Sequence, residues 1–289
     1  MMSNEFATFI LTHGRANNVR TYATLKKHGY TGKIYLLVDD QDKQKEEYVK
    51  NYGNQVIIFD KLKAASITDA GDNFPKLNSV IYARNINFEI AKSLGLKYFW
   101  QLDDDYTTFR FTVDEKGDYI TKQSSIKCLD KVLACMVEFL EVSGFTSVAF
   151  SQGGDFIGGE GSGVFKTFKK GEIPRKVMNS FLFSVDRPIK FLGRMNDDVN
   201  MYISHGNKGK LFGTIVQPRL EQASTQSQDG GLTEMYLEAG TYVKSFYSVM
   251  YCPSGVTIHP IGSVQKRLHH KISWNNVVPK IMSEMYRKT

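Results

Sequence analysis

Two hydrophobic rhythms divide the first hundred residues of this chain. Short continuous apolar runs alternate with segments in which apolar side chains recur every three or four positions. Phe6 to Leu11 is such a run and ends in the turn Thr12-His13-Gly14-Arg15. Val19, Tyr22 and Leu25 then repeat at helical spacing up to a stop at Gly29. Lys33 to Val38 predicts a second strand closed by Asp39-Asp40, Gln44 to Asn51 a polar helix stopped near Gly53, and Gln55 to Asp60 a third strand. After a loop rich in Ala, Asp, Gly and Asn, Ser79 to Leu94 reads as a helix carrying Arg84 and Asn85, and Tyr98 to Leu102 as the fourth strand. Strand and helix alternating at this interval imply right-handed crossovers and a parallel sheet covered on both faces. Polar groups collect where the strands end, and open α/β sheets bind ligands there.

The second half is less regular. Phe109 to Ile120, interrupted by Asp114-Glu115-Lys116-Gly117, predicts a hairpin. Ile126 to Leu140 is an amphipathic helix, and Ser147 to Ser151 a strand. The glycine-rich stretch from Gly153 to Gly163 lacks both the GxGxxG spacing and a strand-to-helix setting. It is expected to be a mobile loop beside a site rather than a dinucleotide cradle. Phe181 to Val185 is a further strand. Phe191 to Met195 follows, and Asn196-Asp197-Asp198-Val199-Asn200 opens a helix through His205. Leu232 to Met250 is helical in parts. No repeat or linker divides the chain, so residues 1–289 are read as one mixed domain.

Candidate chemistry centres on Tyr98-Phe99-Trp100-Gln101-Leu102-Asp103-Asp104-Asp105, where an apolar strand ends in three carboxylates. Like charges at a strand tip repel, and a divalent cation with hard oxygen ligands, Mg²⁺ or Mn²⁺, would neutralise them. In an extended chain Asp103 and Asp105 point the same way and can share one ion while Asp104 faces elsewhere. A solvated acidic turn is the plain alternative. A cation held by so few protein ligands completes its shell with water and substrate phosphate. A diphosphate so held makes sense of the other strand ends: Asp39 or Asp40 for base or ribose, Thr12, Gly14 and Arg15 for nucleoside and phosphates, and Arg84 for leaving-group charge. Equally, Asp39-Asp40 could cap a helix and Arg84 could be an exposed helix residue in an ion pair. Asp197 or Asp198 is placed to deprotonate an acceptor hydroxyl, although a helix N-terminus weakens a base unless the site is desolvated. His259, His269 and His270 are candidate further metal ligands, the adjacent pair with Trp274 close behind being the stronger case.

Composition narrows the setting. With 42% hydrophobic and 23% charged residues the 289-residue chain is an ordinary globular one. Three cysteines form no CxxC pair; Cys128 and Cys135 should share the core face of a helix, and a reducing cytoplasm fits. No apolar run approaches membrane-spanning length, so no membrane partner is expected. The formal net charge of +7 suits a polyanion. Two clusters stand out among the 37 Lys and Arg residues, either of which could be merely solvated surface. One is Lys166, Lys169, Lys170, Arg175 and Lys176; the other is Lys266, Arg267, His269, His270 and Lys271, continued by Arg287 and Lys288.

These motifs carry a resemblance. THGR after the first strand, VDD after the second, the ARN helix, LDDD and NDD resemble the nucleotide-sugar glycosyltransferases of GT-A class. More narrowly, the phrases ILTHGRANNVRTYATLKKHGYTGKIYLLVDDQD, QLDDDY, RMNDDVN, GTYVKSFYSVMYCPS and RLHHKISWNNVVPKI resemble the phage TET-associated glycosyltransferases, and they span nearly the whole chain. The resemblance implies a GT-A-like α/β fold with a mixed, mainly parallel sheet flanked by helices. Residues 1–108 would form the nucleotide-sugar-binding half and 109–289 the acceptor-binding half with a basic C-terminal tail. It implies a UDP-sugar donor with Mn²⁺ or Mg²⁺, bound through Thr12, His13, Gly14, Arg15, Asp39, Asp40, Arg84, Asn85, Asp104 and Lys244. Asp103 and Asp105, with His269 and His270, would hold the metal, and Asp197 or Asp198 would act as base in an inverting transfer. The implied acceptor is the 5-hydroxymethyl group of modified cytosine in double-stranded phage DNA. Lys166, Lys169, Lys170, Arg175, Lys176, Arg267, Lys271 and Trp274 would bind the DNA, and Trp274, Tyr106 or Phe156 would support a displaced base. A monomer in the cytoplasm of the infected host is expected. The rival readings are a glycan, protein or small-molecule acceptor, or a catalytically silent DNA-binding module on the same scaffold.

Overall fold

A computed structural model describes residues 4–171, 180–222, 240, 243–262 and 266–277. The first half follows the hydrophobic rhythm closely, except that α3 forms where a loop was expected, started by Asp60: β1 (Phe6–Leu11), α1 (Arg20–Lys27), β2 (Lys33–Asp39), α2 (Lys45–Tyr52), β3 (Val56–Phe59), α3 (Lys61–Ser66), α4 (Ile81–Ser93) and β4 (Tyr98–Asp103). The four strands pair in parallel in the order β3-β2-β1-β4, which brings all their carboxyl ends to one edge. Every residue of β1 is buried because the sheet is covered on both faces. Alternate side chains go opposite ways: Ala7, Phe9 and Leu11 pack with Ile81, Tyr82 and Phe88 of α4, whereas Phe6 and Ile10 pack with Leu25 of α1.

The expected hairpin is β5 (Tyr106–Val113) and β6 (Tyr119–Ser125), followed by α5 (Leu129–Ser143) and β7 (Ser147–Gln152). The glycine-rich stretch carries defined structure that its composition did not announce. It includes α6 (Gly163–Lys169), started by Ser162, whose hydroxyl accepts from the Phe165 N–H, and it is anchored where Phe156 and Phe165 pack on Val113 and Val216. Then come β8 (Ser180–Ser184), α7 (Asp197–Gly206), β9 (Phe212–Gln222), α8 (Val243–Tyr251), a separate hairpin of β10 (Val256–Ile261) and β11 (Arg267–Ile272), and α9 (Trp274–Val277). The large sheet runs β3-β2-β1-β4-β8-β7-β9-β5-β6, with β8 antiparallel to both its neighbours and β9 parallel to β7. The expectation of an α/β fold with a mixed sheet flanked by helices is met.

Two differences have simple causes. Cys128 and Cys135 are exposed rather than in the core. The buried stripe of α5 is Leu129, Leu133, Met136 and Leu140, and both cysteines sit one position off it. The strands β9, β10 and β11 have no counterpart in the sequence reading, because their apolar positions are interrupted by Gly, Pro, Gln, Lys and His. Among the described residues, no helix is long and apolar enough to cross a membrane.

Candidate active site

The shared carboxyl edge of β1, β2 and β4 gathers most of the predicted polar groups. After β1 the chain turns through Gly14, whose φ of 67° suits glycine. Asp39, at the end of β2, is buried between His13 Nδ1 at 2.6 Å and Lys61 Nζ at 3.0 Å. Burial works against its ionisation, but His13 and Lys61 outweigh it and hold the carboxyl below its ordinary range. His13 is reciprocally raised above 6.5, first by its hydrogen bond to Asp39 and against partial desolvation. The ion pair is lost on the acid side as pH falls through the lowered Asp39 value, and on the alkaline side as pH rises past 6.5 through the raised His13 value. An NMR titration should therefore find His13 above 6.5, moving down in Asp39→Asn; a parental midpoint at or below 6.5 would refute the pairing. Asp40 serves the backbone instead, its Oδ1 accepting from the Lys61 N–H at 2.9 Å.

The acidic run departs from simple alternation. β4 ends at Asp103, and Asp104 and Asp105 lie in the turn before β5, so their directions are set by that turn. Asp104 is buried and accepts from Arg15 Nη1 at 2.5 Å and from the Thr12 hydroxyl at 2.7 Å. Asp103 accepts from Arg84 Nη2 at 3.2 Å. Asp105 accepts from Gln222 Nε2 through one oxygen, at 3.1 Å, while its other oxygen is buried without a hydrogen-bond partner. Burial is the first cause raising all three carboxyl pKa values; Arg84 and Arg15 counter it at Asp103 and Asp104, and the charge of Asp105 adds to the rise at Asp103. A desolvated carboxylate oxygen with no donor, beside a second carboxylate, is the ligand set a hard divalent cation takes. Asp103 and Asp105 therefore fit such an ion. Among the described residues no three His, Cys, Asp or Glu side chains converge as a metal cage.

Arg84 links this corner to the helix that opens with Asp197. The α4 segment carrying it is buried from Ile81 to Phe88, and the guanidinium packs over the rings of both Phe181 and Phe191. Nη1 donates to Asp197 Oδ2 at 2.9 Å while Nη2 reaches Asp103. Burial opposes the Arg84 charge, but Asp197, Asp103 and Asp198 outweigh it and raise its pKa. Asp197 is raised by burial, then held back by Arg84 and pushed further by Asp198 and Asp103. Both acids lie in the first turn of α7, where Asp198 Oδ1 accepts from the Val199 N–H at 2.8 Å. The N-terminal position belongs to Asn196, with φ of 54°, the only non-glycine at positive φ among the described residues. Its side-chain NH₂ reaches the Lys244 carbonyl at 2.9 Å, Ser248 Oγ at 3.2 Å and His270 Nδ1 at 3.1 Å. This residue, which the motif reading passed over, ties the acid-bearing turn to α8 and β11.

The other predicted residues divide. Lys244 sits in this corner: burial and then the charge of Arg267 lower its pKa, and Asp198 counters them. His270 stacks on His269 with ring centroids 4.2 Å apart. Asn85 is spent on structure, bonding Phe191 through its backbone N–H and carbonyl, and also Thr68. Lys166, Lys169 and Lys170 belong to α6 and its C-cap, where Lys169 pairs with Asp118 of the hairpin turn. Lys271 is exposed on β11, and Trp274 stacks on Tyr202 at 6.0 Å. Arg175, Lys176, Arg287 and Lys288 lie outside the described residues. Tyr106 and Phe156 are corrected: both rings are buried, Tyr106 in the core cluster that holds Leu25 and Leu102 and Phe156 against Val113 and Val216, so neither offers a face to a base.

Residues 6–231 match the family model described as TET-Associated Glycosyltransferase. No curated protein matches the chain in sequence. Among solved structures, Staphylococcus aureus TarS 1-349 in complex with UDP-GlcNAc is 10% identical with a TM-score of 0.40, covering 85% of this chain and 66% of that one. TarS 1-349 alone is 12% identical with a TM-score of 0.41, covering 74% and 60%. Glucosyl-3-phosphoglycerate synthase from Mycobacterium tuberculosis, in complex with Mn²⁺, UDP-glucose and phosphoglyceric acid, is 10% identical with a TM-score of 0.48, covering 91% and 85%. The chain thus spans less than two-thirds of the length of either TarS structure.

Proposed function

The chain belongs to the TET-associated glycosyltransferase family, and from that premise we propose that it moves a sugar from a UDP-sugar to the 5-hydroxymethyl oxygen of modified cytosine in double-stranded phage DNA. The observation that carries the reading is the buried bridge Asp103–Arg84–Asp197, which sets a metal-suited acidic corner beside a second pair of acids. A departing diphosphate and an attacking hydroxyl need such neighbours.

Asp103 and Asp105 are the residues that would hold Mn²⁺ or Mg²⁺, whose chemistry when bound is to neutralise charge on the leaving diphosphate. Arg15 and Arg84 place fixed positive charge on the same edge, and Thr12 and Asp104 hold Arg15 in position. The His13–Asp39 pair lies where a nucleoside would sit. Asp197 or Asp198 takes the proton from the attacking hydroxyl, and at Asp197 desolvation by the surrounding core raises the basicity of a helix-start carboxylate. In-line attack from that side inverts the anomeric centre. Arg267 and Lys271 give the acceptor side the sign a DNA backbone requires, and a monomer acting in the host cytoplasm is the setting.

Hydroxymethylated and plain DNA incubated with a panel of UDP-sugars and Mn²⁺, then digested and weighed as nucleosides, tests this. A mass gain on hydroxymethylcytosine alone is expected, falling steeply as salt rises. Donor hydrolysis without any mass gain would remove the DNA acceptor.

A further inference from the structure

The loop from Thr12 to Asn17, which presents Thr12, His13 and Arg15 at the carboxyl edge, is closed locally by the Asn18 N–H on the Arg15 carbonyl at 2.8 Å, but most of its hold comes from outside. Its polar backbone is bound by side chains from a single stretch, residues 42–51. The Gly14 N–H donates to Asp42 Oδ2 at 2.7 Å, the Arg15 N–H to the Tyr48 hydroxyl at 2.8 Å and the Ala16 N–H to Gln44 Oε1 at 2.9 Å. Asn51 Nδ2 donates to the Ala16 carbonyl at 3.0 Å. Asp42 is itself fixed by the Gln44 N–H at 2.8 Å, and Tyr48 is fully buried, with its hydroxyl also 2.7 Å from Thr12 Oγ1. Three successive amide donors of the loop are thus consumed by protein acceptors. None of the three remains for a phosphate, unlike a glycine-rich loop, whose free amides do that work.

We propose that Asp42, Gln44, Tyr48 and Asn51 form a brace that fixes this loop so that it meets the donor diphosphate through the Arg15 side chain, with Tyr48 the principal positioning residue. The inference rests on the glycosyl-donor reading of this edge. Tyr48 is the hub because one oxygen serves both ends of the loop: the Arg15 backbone and Thr12, whose own hydroxyl donates to the Asp104 that grips the Arg15 guanidinium. Losing that oxygen should leave the buried ring in place and free the arginine to wander. Rigid placement of a charged group is worth most where it contacts the ligand's charge, so the effect should fall on phosphate and spare the nucleoside.

The test is binding of UDP and of uridine, each with Mn²⁺, to the parent, Tyr48→Phe and the exposed-site variant Asn51→Ala. Calorimetry reads UDP and NMR shifts read uridine. Tyr48→Phe is expected to weaken UDP binding about tenfold, the worth of one hydrogen bond, with uridine affinity held near the parental value and Tm lowered by only a few degrees. Asn51→Ala should weaken UDP less, in the same selective sense. Equal UDP affinity in all three proteins overturns the brace while leaving the donor reading intact, and so does a parallel loss of UDP and uridine. A parent that binds no UDP overturns both.

Discussion

Arg84→Met is expected to be both the least stable and among the least active single variants of this enzyme. The methionine still packs on Phe181 and Phe191, but it leaves Asp103, Asp197 and Asp198 facing one another without the guanidinium. Removing one partner of a buried ion network costs about 3–5 kcal/mol, because the remaining charge stays desolvated. Turnover should fall at least about a hundredfold, as for loss of one fixed charge aimed at a developing oxyanion. The sign of the pH dependence separates this from ordinary core damage. Asp103 and Asp197 already have raised pKa values in the fold, and without Arg84 they rise further. A carboxyl whose folded value exceeds its unfolded one favours the fold below the unfolded value and opposes it as pH rises through the folded one. The stability deficit of Arg84→Met should therefore be largest at neutral pH and shrink toward pH 4, measured by denaturant melts. Arg84→Lys should recover little, since one ammonium cannot fork to two carboxylates on different elements. A deficit that does not change with pH would mean that the guanidinium acts as filler and not as a counter-charge.

What the sequence disclosed about this corner follows from where the information lies. β1 to β4 were legible because each is a short apolar run bounded by turn residues, and their parallel pairing places Thr12, Asp39 and Asp103 together without further knowledge. That Arg84 matters was legible from its motif, but its buried reach to Asp197 was not. Residues 84 and 197 meet only because β8 inserts antiparallel beside β4 and brings the start of α7 to the same edge. No local periodicity encodes such a contact. Asn196 was hidden for a related reason: its left-handed backbone and its hold on α8 and β11 are long-range facts, whereas locally it reads as the ordinary start of a helix. The Tyr48 hydroxyl was hidden by its surroundings, since a tyrosine at helical spacing reads as core, and its ring is core. The exposed cysteines and the buried Tyr106 and Phe156 show the converse error, in which residue type was allowed to stand for position.

Asp105 offers the sharpest separation of function from stability. It keeps a buried oxygen with no donor, and desolvation, with the charge of Asp104, raises its pKa, so its ionised form opposes folding near neutral pH. Asp105→Asn removes that charge while its amide oxygen can still accept from Gln222. The metal-free variant is expected to melt at or above the parental temperature. Activity should move the other way. With half of a two-carboxylate site gone, the affinity for Mn²⁺ falls, and the double variant Asp103→Asn, Asp105→Asn should lose roughly a thousandfold or more in transfer, the equivalent of several kcal/mol of leaving-group stabilisation. DNA binding, followed at low salt by fluorescence anisotropy, should be unchanged, because neither residue contributes positive charge to a phosphate backbone. A residue that destabilises its own fold and is needed for turnover is kept for chemistry; one kept for packing would show both losses together. Unchanged product formation by the double variant would end the metal assignment, and a lower melting temperature for Asp105→Asn would show that its buried oxygen has a structural partner after all.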